Sequence, residues 1–334
     1  MPVRFLLTCV QSDSFGRFRI GHSRLPEEGR FASLCAMSLK NPGGMSYILL
    51  SSVLWASFPV ITTLGFHALP VFTSAALTTF FSTLFFFTLV LLEKRPNRPS
   101  KQCIRQIVTA CILIGIGYYF FTYVGISLTT PGNAAIVMLM EIFFSYLFIS
   151  VIGRHEPLIP AHVFGALLMI GGVLFVLVPS AQHFRSGDFV LLVGSMLPPL
   201  GNLAMQRARK EVSAAYIMLF RSMTGTLSLG ILALAFEGVP DTRALVTGLP
   251  VILIGGFLLM GLSKILWIEA IHRLPITQTI SVASIQPLFT MLFAYILLGQ
   301  IPEWVQLLSL PPVAAGMVLL TQRPSVSQSA LEEV

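Results

Sequence analysis

The chain is poor in charge. Only 10% of its 334 residues are Asp, Glu, Lys or Arg, whereas a water-soluble domain carries roughly a quarter. A surface with so little charge cannot be solvated by water over most of its area, which excludes an ordinary soluble fold. Cysteine is also scarce. Cys9, Cys35, Cys103 and Cys111 form no C-x-x-C pair and no zinc-ligand spacing, so all four are read as free thiols and no disulfide framework or metal site is expected. No G-x-x-x-x-G-K-[ST] loop is present, which removes the standard means of using ATP, and no H-E-x-x-H, which removes one class of intramembrane protease. Ser263 and Lys264 form the one adjacent Ser–Lys pair within an apolar run. Neighbours on a helix point about 100° apart, so they make no catalytic dyad by themselves. The chain is not read as an enzyme, and no cofactor is expected.

What is present is apolar sequence, 55% of the residues, gathered in runs with short polar intervals. The runs fall at about 46–66, 70–92, 104–127, 132–152, 159–178, 188–206, 214–236, 249–271, 276–299 and 303–321. A bilayer core of about 30 Å takes about 20 apolar helical residues per crossing. Runs such as Phe80–Phe87 show no alternation, as a membrane β-barrel would require. Lipid offers no partner to an open strand, so the runs must be helical. The fold class expected is an all-α integral membrane protein of about ten transmembrane helices. Thr130-Pro131-Gly132-Asn133 reads as a turn, and Pro179, Pro240 and Pro250 read as flanks of helix ends.

Residues 1–44 read as a disordered basic tail or as the product of a misplaced start, because Met37 and Met45 both stand just before the first run. Residues 322–334 read as a second polar tail. The formal net charge is +7. With the N-terminus placed in the cytoplasm, 17 of the 21 Lys and Arg residues fall in cytoplasmic segments. Only Arg185 and Arg243 fall outside, and Arg221 and Lys264 lie within helices. That bias is the positive-inside pattern for a multi-pass protein of the cytoplasmic membrane with both termini inside. The basic charge therefore reports orientation, and no nucleic-acid partner is expected.

Shifted by 145 residues, the chain matches itself. Val137 meets Val282, Phe144 meets Phe289, Leu147 meets Leu292, Phe148 meets Phe293, and Gly171, Val173 and Leu174 meet Gly316, Val318 and Leu319. An offset of five helices inserts the second copy upside down. Two such inverted five-helix repeats, 46–178 and 188–321, can rock about a shared midplane site, an arrangement strongly associated with transport; the lesser alternative is a duplication that serves stability alone.

With these stretches in hand, the chain resembles the EamA-like family of the drug/metabolite transporter superfamily. The likeness rests on Gly132-Asn133-Ala134-Ala135 through Glu141 to Gly153, on the helix ending Gly171-Gly172-Val173-Leu174, and on Leu54-Trp55-Ala56-Ser57. It rests also on Leu266-Trp267-Ile268-Glu269-Ala270 through Leu274-Pro275, and on Gln286-Pro287-Leu288-Phe289 to Leu298-Gly299-Gln300. The resemblance covers about 46–321 and implies ten helices in two inverted repeats that move small metabolites, often outward. Members often carry Glu-Pro in helices 4 and 9, where this chain has Glu141-Ile142 and Gln286-Pro287. Members often carry Arg in helix 2, where this chain has Thr78-Thr79.

Candidate substrate-binding residues follow from polarity at depth. Glu141 lies near midplane, where a carboxylate is costly. It reads as a proton or cation site, or as a protonated group bonded between helices. Gln286 is its repeat mate, beside Pro287, which removes a backbone donor. Arg221 and Lys264 each lie about two turns inside their helices. They either snorkel to the interface or line an inward cavity and attract an anionic or zwitterionic solute. Lys264 stands five residues before Glu269, a poor helical spacing for a pair. Trp55, Tyr118, Tyr119, Tyr123, Asn202 and Trp267 are candidates for an aromatic and polar lining, or are packing residues. Pro59 and Pro198-Pro199 read as hinges or tolerated kinks. The function expected is a secondary transporter of small metabolites or drug-like solutes, working by alternating access in the export direction, with proton coupling open. A nucleotide-sugar or organic-anion exchanger is the second reading, and a channel or non-transporting scaffold the third. The partners expected are a small-molecule substrate and membrane lipid, and a homodimer is left open.

Overall fold

The computed structural model describes residues 42–93, 99–148, 160–177, 185–274, 282–283 and 285–320. The expected tails, apart from Pro42–Gly44, which open the first helix, lie outside them, as do Arg154, Cys9 and Cys35. Seven helices are long and apolar enough to cross a membrane: α1 Gly43–Ala68, α2 Val71–Leu92, α3 Lys101–Ser127, α4 Pro131–Phe148, α6 Ser186–Ala208, α7 Ala214–Phe236 and α8 Thr242–Ala270. Three shorter apolar helices complete the described set: α5 Pro160–Val176, α9 Gln286–Leu298 and α10 Trp304–Leu320.

Local chemistry sets several of these ends. Ser100 and Ser213 accept from the amides of Cys103 and Tyr216, three residues on, and so cap α3 and α7. Thr130 caps α4 in the same way and Pro131 opens it, so the expected turn at 130–133 is a cap and a first helical turn. Pro250 was expected to flank a helix; it lies inside α8, which starts at Thr242 after Asp241. The amphipathic first turns of α8 extend the helix beyond the continuous apolar run, which is why the run alone places the start too late.

The apolar residues divide into an outward belt and an inward core. On α3, Ile104, Val108, Ile112 and Ile116 recur every four residues and all are exposed, the spacing of one helical face. Phe80, Phe87, Leu167, Ile231 and Ile296 are likewise exposed. Such an apolar exterior suits lipid. The core gathers Phe58, Tyr119, Tyr123, Ile136, Val137, Met169 and Met317.

The packing follows the sequence repeat. α2 packs on α7 and α5 on α10, each on its own counterpart, while α1 packs on α8 as α6 packs on α3. Counterparts run antiparallel. Phe86, late on α2, packs with Ala215 and Met218, early on α7, whereas the amides of Phe72 and Thr73 at the start of α2 donate to the Glu237 carboxylate just past α7, each at 2.8 Å. On α5, a side chain at Gly165 would strike the Gly316 carbonyl at 2.9 Å, and one at Gly172 would strike the Ser309 carbonyl at 3.0 Å. Rising numbers on α5 therefore meet falling numbers on α10, and glycine allows the two backbones to touch.

Helices interrupted at matching depths are a second consequence of the repeat. α1 is interrupted at Ser57 and α6 at Ser195–Met196; α4 is interrupted at Leu139 and α9 is preceded by a turn at Ile285. Pro59, Pro198 and Pro287 each follow the interruption by two residues, where a missing amide hydrogen costs a new helical segment nothing. In α4 a tight bond from Ile142 N to Leu139 O at 3.0 Å does the same without proline. α3 and α8 instead widen into π-helical stretches, Cys111–Tyr118 and Ile254–Leu262, which overlap under the 145-residue offset. Wide turns of this kind often mark functional sites.

Candidate functional site

The interruptions and wide turns surround one cavity of about 580 Å³. Its wall takes Glu141 from the first turn after the break in α4, Gln286 from the first turn of α9, and Asn202 from the half of α6 that follows its break. Tyr118 and Tyr119 come from the end of the wide stretch in α3, and Lys264 follows the wide stretch in α8. Trp55, Arg221 and Trp267 complete the set read from sequence. Of the ten residues proposed, nine line this one cavity. Tyr123 does not. It lies one turn beyond Tyr119, is 1% exposed, and packs edge-on against Phe58 at 6.0 Å and Phe66 at 6.5 Å. These rings form a plug over the cavity, and a sequence offers no sign of which turn of a helix the cavity stops at.

The polar contacts of the wall cross between repeats. The Asn202 amide donates to Glu141 Oε1 at 2.9 Å, joining α6 to α4. Lys264 Nζ stands 3.2 Å from the centroid of the Trp55 ring, joining α8 to α1. That ring is itself stacked on Phe58 at 4.7 Å. Arg221 is 6% exposed and lies over Tyr119, 5.7 Å from its centroid. Of the two sequence readings for Arg221 and Lys264, the structure gives the cavity, not the interface. Glu141 forms no ion pair with either; the ion pairs among the described residues are Arg185–Glu303 and Arg273–Glu269. Glu269 thus takes its partner four residues on and leaves Lys264 alone, as the helical spacing suggested. The Ser263 hydroxyl bonds back to the Leu259 carbonyl, and Ser51 donates to the Ser263 carbonyl at 2.9 Å. Ser263 is therefore engaged with backbone rather than with Lys264.

The two ends of the cavity differ. At the end where α1 begins, the wall runs out to the exposed side chains of Gln206 and Arg209. At the opposite end the last lining residue of α4 is Ala135, and two residues nearer the start of that helix Asn133 enters a buried polar network that ties four segments together. Asp188 at the start of α6 accepts from Thr129 and, at 2.9 Å, from Asn133. Gln306 on α10 donates to Asn133 at 2.6 Å, Arg185 donates to Thr130 at 3.0 Å, and Arg185 pairs with Glu303 at 3.1 Å. Asp188, Asn133 and Gln306 are all buried. The sequence reading missed this network and the lining residues Met205, Gln206 and Arg209. An acid at the first turn of an apolar run was the available signal for Asp188.

The comparison with known proteins now bears directly on these features. Residues 42–178 and 185–322 each match the EamA-like transporter family. The chain belongs to that family. The two matched stretches coincide with the two repeats, so each repeat is one EamA unit. Among curated relatives, a Pseudomonas aeruginosa protein described as uncharacterized is 25% identical over 269 residues, 77% of this chain and 86% of the relative. The pseudopaline exporter CntI of the same species is 30% identical over 138 residues, 41% of this chain and 46% of CntI. A solved crystal structure superposes with a TM-score of 0.60 at 18% identity, over 83% of this chain and 96% of its own, a likeness of fold.

Among the described residues no group of His, Cys, Asp and Glu could hold a metal ion. Cys103 and Cys111 are buried free thiols.

Proposed function

We propose that this membrane transporter is a secondary exporter of small metabolites or drug-like solutes, working across the cytoplasmic membrane by alternating access. The observation that carries the reading is the cavity itself. It is reached from one end, sealed at the other, and walled by helices broken at repeat-matched depths. Discontinuous helices around a midplane site, in two copies that run in opposite directions, are the usual architecture of such carriers.

In this reading the chain crosses the membrane ten times. Each EamA unit takes five crossings, an odd number, which agrees with the antiparallel course of α2 against α7 and α5 against α10. The positive-inside bias puts both tails in the cytoplasm. The open end of the cavity then faces the cytoplasm, the side from which an exporter loads. Rocking of the two repeats would break the Asp188 network and close the walls around Gln206 and Arg209. Glu141 is the group assigned to proton coupling. It is the one carboxylate on the cavity wall among the described residues, its bond to Asn202 crosses the repeat interface, and a change of its charge would be felt by both repeats.

The test compares solutes inside and outside cells carrying the wild-type chain, a Glu141→Gln variant, or empty vector. Wild type is expected to shift a small set of solutes outward. Glu141→Gln, at equal abundance in the membrane, is expected to lose the shift or its dependence on pH. Three coincident profiles at confirmed expression would contradict export.

A further inference from the structure

The transport reading leaves open what is carried, and the cavity wall bears on that. Arg221 is nine-tenths buried and its Nε has no hydrogen-bond partner. Its Nη1 meets only the Met205 sulfur, at 3.9 Å, and the Tyr119 ring accounts for one face of the guanidinium. A guanidinium presents five N–H donors in a rigid fork that fits a planar or tetrahedral oxyanion. Buried charged donors without acceptors are costly, so an arginine left in this state is a site awaiting an acceptor.

The rest of the wall favours the same sign. Lys264 adds a second cation, held against Trp55, and Arg209 adds a third at the exposed mouth. Among the described residues Glu141 is the one acid on the wall, and Asn202 already bonds it. Duplication did not produce this excess. Under the 145-residue offset Arg221 falls on Ala76 and Lys264 on Tyr119, so both buried cations belong to the second repeat alone. Trp55, Tyr118, Trp267 and Met260 supply apolar and aromatic surface beside them.

We infer that the cavity takes an organic oxyanion, a carboxylate or phosphate ester on an apolar or aromatic body, with the oxyanion on Arg221 and the body against Trp55 and Trp267. A cationic solute would face two like charges, and a neutral one would leave the Arg221 donors unmet. An anion leaving the cytoplasm also moves with the inside-negative membrane potential, in the direction assigned above.

The test uses the purified full-length protein and five probes: phenylacetate, phenyl phosphate, phenylacetamide, phenethylamine and inorganic phosphate. Binding is read by tryptophan fluorescence, since Trp55 and Trp267 line the cavity. Phenylacetate or phenyl phosphate is expected to bind about tenfold or more tightly than phenylacetamide, the worth of one charged hydrogen bond. Whichever of the two binds better names the oxyanion. Inorganic phosphate, which lacks the body, is expected to bind more weakly than either. Arg221→Gln is expected to lose the preference and Arg221→Lys to keep part of it, with melting temperatures without probe confirming that both variants fold. Equal binding of phenylacetate and phenylacetamide, no binding of any probe, tightest binding of phenethylamine, or an unchanged preference in Arg221→Gln would overturn the inference. The export reading would survive each of these results, because the solute comparison tests it separately and presumes no substrate charge.

Discussion

The side-chain amide of Asn202 donates to Glu141 Oε1 at 2.9 Å, from the broken helix α6 to the broken helix α4. It ties the acid of the first repeat to a polar group of the second. Replacing Asn202 with Leu removes the donor and leaves the carboxylate without it. Interhelical hydrogen bonds within membranes average about 0.6 kcal/mol and reach about 1.7. Thermal stability is therefore expected to change little, while the pH dependence of solute export shifts. An Asn202→Leu variant with an unchanged pH profile would place the Glu141 titration outside the transport cycle.

Lys264 rests on the Trp55 ring at 3.2 Å from its centroid. A desolvated contact of this kind is worth up to about 2 kcal/mol. Trp55→Phe is expected to weaken it mildly, because a phenyl face attracts a cation less strongly than an indole face. Trp55→Ala is expected to release Lys264 and weaken solute binding several-fold more. Competition binding with the exported solute, once the solute comparison has named it, reads both variants. Equal loss in both would point to indole shape rather than to its hold on Lys264.

Asp188 accepts from Thr129 and Asn133 within the network that seals the far end. Asp188→Asn keeps the shape but replaces a charged acceptor with a neutral amide: Asn133 can still donate to its oxygen, and Thr129 must turn from donor to acceptor, so both bonds lose their charge-assisted strength. A hydrogen bond to a charged group contributes roughly 1.5–3 kcal/mol and a neutral one about 1 kcal/mol. The seal is then expected to open more readily, seen as faster labelling of the cavity from the outer face and a lower melting temperature. Labelling unchanged by this variant would remove Asp188 from the gate.

Gly165 and Gly316 bring α5 and α10 into backbone contact, and a side chain at Gly316 would meet the Gly165 carbonyl at 2.5 Å. Gly316→Val is expected to destabilise the fold by about 1–3 kcal/mol through overpacking, measured as a fall in melting temperature. Gly171, beside which a Cβ would meet nothing within 4 Å, is the control: Gly171→Ala is expected to be nearly neutral.

Much of this arrangement could be read before the structure, for a physical reason. Lipid forces long uninterrupted apolar runs, so α7 was placed at its observed bounds from hydropathy alone. Buried polarity stands out against such a background, which is how Glu141, Asn202, Arg221, Lys264 and Gln286 were found. Features that depend on amphipathic or polar turns were harder to see. Thr242–Gly248 extends α8 outside its apolar run, and Asp188, the first residue of the run 188–206, shows its partners only when Asn133 and Thr129 close on it. Tyr123 shows a third limit. It shares a helical face with Tyr119, yet Phe58 and Phe66 end the cavity between them, and their approach depends on a break at Ser57 that the sequence marks only by Pro59.

Alternating access requires a cavity that is open to one side of the membrane at a time. Ala135 lies on its wall from α4, two residues from Asn133 of the seal, so Ala135→Cys in a background lacking the four native cysteines gives a reporter on the cavity wall. Membrane-impermeant thiol reagents applied from each face should label it rapidly from the cytoplasm and slowly from outside, and Asp188→Asn should raise the outer rate at the expense of the inner. Equal, rapid labelling from both faces at once would mark a channel, and no labelling from either would mark a closed packing defect; both results contradict alternating access.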